Sequence, residues 1–446
     1  MTSDMSSISF IKKIDDKHKI FTTTCDVHEK QKGPLSKYTV SLKDALWLEG
    51  IETTASSAIL KGFKPVEHST VAEKILDAGA RIVGKTVQDE FGFGTFSVNV
   101  GYNHKVPLNP YDVERCAGGS SGGAAVAAAL IDKHISIAES TGGSIVTPAS
   151  FCGVVGICPT YGRVSRNGLI TYSSSLDKIG TMSKKVYESA LMLEVISGLD
   201  ARDETSADAP VEKFSDATED SLEKTKNMKI AILETPGINE EIMKKFEDTI
   251  SCFSKAGVKF EKIKLPYMSK YALSAYYIIA MSEASTHLAC LSGLRYGKGE
   301  KLDESAFYNE YFEAVRTKNF NDETKRRILL GTFTRMSGYR GEYYMKALKV
   351  RKKIIDEYKE VFKKYDAITL PTAPVFAPKF SEINKMSLFE IYNLDYLGVG
   401  PNLAGLPHIS VPINKDGELP CGILFVGDHF SESKLISLGS AVEVLQ

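Results

Sequence analysis

The chain has no surplus of charge. Its 55 Lys and Arg stand against 56 Asp and Glu, a formal net charge of −1. A basic footprint for nucleic acid over the whole surface is thereby excluded, while a local patch or a partner that carries one is not. Paired cysteine motifs are also missing. Seven Cys are spread through 446 residues with no C-x-x-C, and Cys152 and Cys158 stand six apart with no His near them. That spacing argues against a zinc site and for reduced thiols. The eight His form no H-E-x-x-H cluster, so no metal is expected. No apolar run reaches the roughly 18 residues of a membrane span. The opening MTSDMSSISFIKKIDDKHK has no h-region and is not Arg-rich, and acidic residues come early. A soluble cytoplasmic protein is the expectation. A mitochondrial location is the alternative. There is no internal repeat and no low-complexity tract.

What is present reads as an α/β protein. The composition, 43% hydrophobic and 25% charged, is that of a globular chain. Residues 1–38 are polar and mixed. HSTVAEKILDAG (68–79) predicts a helix, with Ser69 as N-cap, an apolar stripe of Val71, Ile75 and Leu76, and Gly79 as its stop. ARIVGKT follows as a short buried strand, and 124–131 is an apolar helical run. Residues 200–227 are acidic and nearly free of large apolar groups, which predicts a solvated excursion between two halves. Beyond it come a strand at 228–233, a helix at 239–256 and a strand at 258–266. A charged helical region spans 300–365, then YDAITLP, HISVPI and CGILFVG read as strands, with a last helix from Ser431. Strands alternating with helices imply an α/β sheet.

Residues 79–86, GARIVGKT, match G-x-x-x-x-G-K-[ST] letter for letter. A phosphate loop needs a strand first, then the glycine loop, then a helix whose N-terminus faces the phosphates. Here the order is reversed: a helix stops at Gly79 and a strand occupies the variable positions. Asp89 and Glu90 then follow where a phosphate would be repelled. Lys85 reads as a strand-end residue.

Two other stretches carry the chemistry. AGGSSGG (117–123) precedes the Ala-rich run, and STGGSIVTPASFCGVVGICPTYGRVSRNGL (140–169) holds a second Gly-Gly-Ser turn. A serine behind two glycines sits exposed on a turn, with backbone N–H groups free to stabilise an oxyanion. In these residues, and in SSLDKIG (174–180), the sequence resembles the amidase signature family. Within it the resemblance is to the glutamine-hydrolysing components of tRNA-dependent amidotransferases. ILKGFKPVEHSTV (59–71), GKTVQDEFGFG (84–94), SEASTHL (282–288), KRRILLGTF (325–333), LPTAP (370–374) and NLAGLPHISVP (402–412) extend it from about residue 20 onward.

The resemblance implies a large mixed twisted sheet with helices on both faces. It implies a single domain over 1–446, with the signature core at about 38–200 and the second half, 228–446, completing sheet and substrate pocket. It makes Ser144 the nucleophile, Ser120 the serine that joins its peptide bond in cis, and Lys43 the lysine base. Thr141, Gly142, Gly143 and Ser144 would offer the oxyanion N–H groups. Tyr276, Arg327 and Asp395 would hold the polar end of glutamine. No cofactor is implied for this chain. ATP and Mg²⁺ would be used by a B-type partner, with room for a small C-type or equivalent partner, and misacylated tRNA would be met through the complex.

No His is present in these motifs, so a Ser–Lys form of triad logic is required. A free Lys is protonated at neutral pH, and burial disfavours that charge. Lys43 is therefore expected to be buried and neutral, flanked by Val40, Leu42, Ala45 and Leu46. Lys85 is the rival base. The family pattern Asp-Thr-Gly-Gly-Ser-Ile-Arg is altered here to Ser140-Thr-Gly-Gly-Ser144-Ile-Val146, so both charged residues are gone. Uncharged contacts through Ser140 or Glu139 are expected to brace the turn instead. SLKD in place of G-I-K-D and Ala117 in place of Pro are milder departures. A stand-alone amidase for another small amide, and a catalytically weak scaffold within the same complex, are the alternative functions.

Overall fold

The structure is a computed structural model that describes residues 8–102, 104–301 and 307–446. The first seven residues of the N-terminal reading, and 302–306 of the charged helical region, lie outside the described residues. Among the described residues, eleven strands form one sheet. They are β1 (Phe21–Val27), β2 (Thr39–Lys43), β3 (Arg81–Thr86), β4 (His134–Ser140), β5 (Val155–Cys158), β6 (Lys178–Ser183), β7 (Lys229–Leu233), β8 (Lys259–Ile263), β9 (Ala367–Pro371), β10 (His408–Pro412) and β11 (Gly422–Val426). Their order is β1-β3-β2-β4-β6-β5-β10-β11-β9-β7-β8. β3, β2 and β4 run parallel, as do β9, β7 and β8, and the strands between them pair antiparallel. This is the mixed α/β sheet the sequence predicts.

Burial follows position in the sheet. β2, β4 and β6 are buried at every residue, because helices and neighbouring strands cover them. β8 lies at one edge, and its Lys259, Glu261 and Lys262 face solvent. Charge on an edge strand blocks pairing with another chain. The two halves of the chain meet where β10 pairs with β5, through His408 opposite Cys158 and Ser410 opposite Gly156. The apolar core runs across that seam, from Val40 and Ile137 to Ile409 and Phe425.

The helix at 68–79 forms as Thr70–Asp77. Ser69 Oγ accepts the N–H of Ala72 at 3.3 Å, and Gly79 takes φ 85° beyond its end. Gly84, Lys85 and Thr86 then lie inside β3 and are buried. No loop presents N–H groups and no helix begins there, so GARIVGKT is not a phosphate site.

One expectation needs correction. Residues 200–227 are not wholly solvated. Phe214 is fully buried with the Arg163 guanidinium 5.5 Å from its ring centre, and Asp200 accepts from Ser165 Oγ at 2.7 Å. One aromatic ring and a few short hydroxyls are enough to tie an acidic segment down. The polar N-terminal stretch, for which the sequence reading names no element, holds a helix at Ile8–His18 and strand β1 paired with β3. Threonines suit a strand because both their faces can be half-buried.

Candidate active site

Lys43 is the last residue of β2 and is fully buried. Its Nζ donates to Ser120 Oγ at 2.8 Å, to the Glu139 carbonyl at 2.9 Å and to Glu139 Oε2 at 2.8 Å. β4 runs parallel to β2, which brings Glu139 level with the end of Lys43. The burial is as the sequence reading expects, and the Glu139 carboxylate beside the amine is a partner that reading does not supply.

Ser120 is carried on a loop before the Gly122–Leu130 helix, and the Gly119–Ser120 peptide bond is cis. The segment after β3 wraps that loop. Gly119 N–H donates to Thr95 O at 2.7 Å, Gly122 N–H to Ser97 Oγ at 2.9 Å, and Asp89 N–H to Ser120 O at 3.2 Å. A Cβ at Gly119 would lie 2.3 Å from Asp89 Oδ2, so only glycine fits there. Burial pushes the Asp89 carboxyl up to about 6, against the N–H groups of Asn99 and Ser97 that it accepts. Asp89 and Glu90 are thus internal braces. Glu90 takes Ser57 Oγ, Thr324 Oγ1 and the Asn321 N–H. Ser121 does not cap the helix; its Oγ donates to Glu139 O at 3.1 Å.

Ser144 ends the turn after β4 and is 7% exposed. Ser140 Oγ donates to Gly142 O at 3.0 Å across this turn, and Asn402 Nδ2 donates to Ser140 O at 3.2 Å. Thr141 Oγ1 lies 2.8 Å from Glu139 Oε1 and 2.9 Å from Asp177 Oδ1. Burial, reinforced by the Glu139 charge, pushes the Asp177 carboxyl well above its ordinary range. Thr147 N–H donates to Gly143 O at 2.8 Å and starts the Val146–Cys152 helix. Val146, where the family pattern has Arg, packs into the apolar core.

The three expected substrate contacts belong to one aromatic enclosure. A Cβ on Gly142 would meet the Tyr276 hydroxyl at 2.9 Å, so that ring closes directly over the turn. Arg327 is buried, with Nε on Glu323 Oε1 at 2.8 Å and Nη1 on the Tyr172 hydroxyl at 2.6 Å. Rings of Phe93, Tyr172, Tyr277 and Tyr392 stand 5.2–5.7 Å from its guanidinium. Burial opposes the Arg327 charge, but Tyr172, Glu323, Tyr277 and Tyr392 more than offset this and hold it cationic. Asp395 accepts from the Tyr277 hydroxyl at 2.6 Å and from Thr95 Oγ1 at 3.1 Å. Burial raises its carboxyl to about 6, against Tyr277, Arg327 and Thr95. A cavity of about 200 Å³ opens beside this cluster, lined by Thr95, Glu323, Arg327 and Tyr392. Lys85, the rival base, lies apart: it donates to Asp44 Oδ1 at 3.3 Å and Thr53 Oγ1 at 2.8 Å.

The Amidase family model matches residues 12–436. The chain belongs to the amidase family. Its curated relatives include the glutamyl-tRNA(Gln) amidotransferase A subunit of Archaeoglobus fulgidus, 42% identical over 412 residues, 92% of this chain and 86% of that one. The protein of the same name from a Geobacillus species is 41% identical over 414 residues, 92% and 83% of the two chains. The crystal structure of the corresponding Thermotoga maritima protein, also a glutamyl-tRNA(Gln) amidotransferase A subunit, superposes with a TM-score of 0.81 at 36% identity, covering 97% of this chain and 89% of that one. A 6-aminohexanoate cyclic dimer hydrolase shares the fold at TM-score 0.83 and 19% identity, covering 100% and 93%.

Several residues of this amidase site escape sequence reading. Sequence offers Glu139 only as an uncharged brace, and it does not single out Tyr277, Tyr172, Glu323 or Thr95. Tyr277 sits next to Tyr276 on a helix, Pro266–His287, that buries both, so helical spacing does not choose between them. A signal for Glu323 does exist: it lies four residues before Arg327, the spacing of a helical ion pair.

Proposed function

We propose that this amidase-family chain is the glutamine-hydrolysing component of a tRNA-dependent amidotransferase. The observation that carries the reading is the join of two built parts: a buried Lys43–Ser120 hydrogen bond beside β4, and an enclosure in which Tyr277 touches both a buried Arg327 and a half-buried Asp395 while its neighbour Tyr276 covers Gly142 of the TGGS turn. A carboxylate and an ammonium on one small molecule match Arg327 and Asp395. The remaining carboxamide then reaches Ser144.

Ser144 Oγ attacks the carboxamide carbon, and its proton passes through Ser120 Oγ toward Lys43. The tetrahedral oxyanion is met by N–H groups of the 141–144 turn, the kind of preorganised donor set that contributes most to acyl transfer. Collapse expels ammonia, which takes the returning proton, and leaves a glutamyl ester that water hydrolyses. Tyr276 closes the pocket floor and keeps solvent from the turn.

In this reading ammonia passes to a B-type partner. That partner, with ATP and Mg²⁺, activates a misacylated Glu-tRNA(Gln) or Asp-tRNA(Asn), and the near-neutral charge of this chain agrees with tRNA contacts made elsewhere. No described helix is long and apolar enough to cross a membrane. We place the complex in the cytoplasm. Ammonia release from glutamine by the chain co-purified with its B-type partner tests the reading. Ser144-dependent release supports it, while hydrolysis of simple amides with no use of glutamine would replace it with a stand-alone amidase.

A further inference from the structure

An ammonium has three hydrogens and no lone pair. All three of Lys43 are used: one on Ser120 Oγ, one on the Glu139 carbonyl and one on Glu139 Oε2. In that state Lys43 cannot accept a proton from Ser120. It must first release one, and among its bonded partners Glu139 is the only ionisable acceptor. Glu139 is itself buried, and its other oxygen is held by Thr141 Oγ1. That hydroxyl has one hydrogen and two carboxyl neighbours, Glu139 Oε1 and Asp177 Oδ1. It donates to one of them, and the other contact requires a protonated carboxyl. Asp177, already shifted toward its protonated form, is that partner. The network therefore runs Asp177, Thr141, Glu139, Lys43, Ser120 in an unbroken line.

We infer that Glu139 is the proton store of the catalytic lysine, so that the working base is a Lys43–Glu139 pair. The inference rests on the amide-hydrolysing reading of Ser144. Before reaction the pair is ammonium and carboxylate. As Ser144 Oγ forms its bond to the carbonyl carbon, its proton moves to Ser120 Oγ. The Ser120 proton moves to Lys43 Nζ, and a Lys43 proton moves to Glu139 Oε2. The pair becomes ammonium and carboxylic acid, and the negative charge that left Glu139 appears on the tetrahedral oxyanion. When the C–N bond breaks, the same path runs backward and delivers the proton to the departing ammonia. No other reactant is needed. Glu139 touches no substrate atom and is a positioning residue that acts through Lys43.

The groups that face the pair are Ser120 and Asp89 from the loops around it, Asp177 from the segment before β6, Cys158 from β5 and Tyr172. Asp89, raised to about 6, and Asp177, raised well above the ordinary carboxyl range, also titrate beside the pair, so variants must separate them from Glu139. The reaction of Ser144 with a fluorophosphonate serine probe suits the purpose, because the probe has no amine or carboxylate for Asp395 or Arg327 to hold.

In the wild-type chain the labelling rate at Ser144 is expected to hold through neutral pH and to fall only toward acid, not near the roughly 10.4 of free lysine. Glu139→Gln keeps the shape but takes no proton. It is expected to slow labelling about 100-fold or more at neutral pH and to move the limb up by about 2 pH units or more, since Lys43 must then deprotonate alone. Glu139→Asp is expected to retain the wild-type limb at a reduced rate. An unchanged limb in Glu139→Gln overturns the proposal, as does a wild-type limb in the lysine range, which needs no variant to fold. Absence of Ser144 labelling overturns it too. Glutamine hydrolysis in the complex separates the two readings: labelling as expected without glutaminase activity sinks the substrate assignment alone, and Ser144-dependent glutaminase activity with an unchanged Glu139→Gln profile sinks the relay alone.

Discussion

Two lysines stand at or next to the ends of neighbouring parallel strands, and both are fully buried. Lys43 closes β2 and Lys85 lies next to the end of β3, with Leu42 of β2 in register with Lys85. Residues in register share a face and successive residues alternate, so the two ammonium groups leave the sheet on opposite sides. Lys85 meets Asp44 and Thr53, and burial pushes its amine below the ordinary lysine range while Asp44 pulls it back. Lys43 meets Glu139 and a serine on a loop. Burial and one carboxylate are common to both. The difference lies in the third partner, a threonine in one case and Ser120 in the other. A buried lysine becomes chemistry only when a hydroxyl beside it leads on to a substrate.

The largest expected effect would divide the two sites outright. Lys43→Met should lower glutamine turnover about 10³-fold or more, as loss of a general base does in Ser-type sites. Lys85→Met should leave turnover of folded protein within about twofold, because Lys85 touches none of the reacting groups. Equal losses in a glutaminase assay would break the comparison. Next comes stability. Asp44→Ala leaves the Lys85 ammonium buried without its carboxylate and should cost about 3–5 kcal/mol in chemical denaturation.

A third buried cation sharpens the contrast. Arg327 is paired with Glu323 and caged by four rings, and we assign it a substrate carboxylate. Arg327→Lys loses the planar fork and should raise KM for glutamine about 10-fold to 100-fold, with a smaller change in kcat. The smallest effect is one of pH. Asp395, raised to about 6 by burial, must be ionised to hold an ammonium. Affinity for glutamine should therefore be present above about pH 6 and fade below it. Asp395→Asn should flatten that limb, and a limb that persists would assign it to Asp89, also raised to about 6.

The parts of this site that are legible in the sequence are those where backbone geometry demands a residue type. Glycines mark both serine turns, and Ser69 marks a helix start. A strand before a charged loop exposes the false phosphate motif. The illegible parts depend on which side a residue faces. Glu139 and Ser140 are adjacent on β4, and one step along a strand exchanges the sheet's two faces. A carboxylate at 139 therefore reaches Lys43, whereas Ser140 turns to Gly142 O. Arg326 and Arg327 differ in the same manner on the Asp322–Arg335 helix: both contact Glu323, but only Arg327 enters the rings. Strand β1 is hidden because a half-buried strand of threonines has the composition of a loop.

The seam between β5 and β10 has a consequence for synthesis. Lys43, Ser120, Glu139 and Ser144 leave the ribosome early, while Tyr276, Arg327 and Asp395 follow, the last of them roughly 250 residues after Ser144. At about 5–20 residues per second, that interval is on the order of tens of seconds. Throughout it the strand pair that β10 will complete has an open edge at β5. On the proposed reading, the nascent chain thus carries its Ser144 nucleophile before the residues assigned to choosing the amide. On that reading selectivity comes only with the second half of the chain, the half whose β10 completes the sheet at β5.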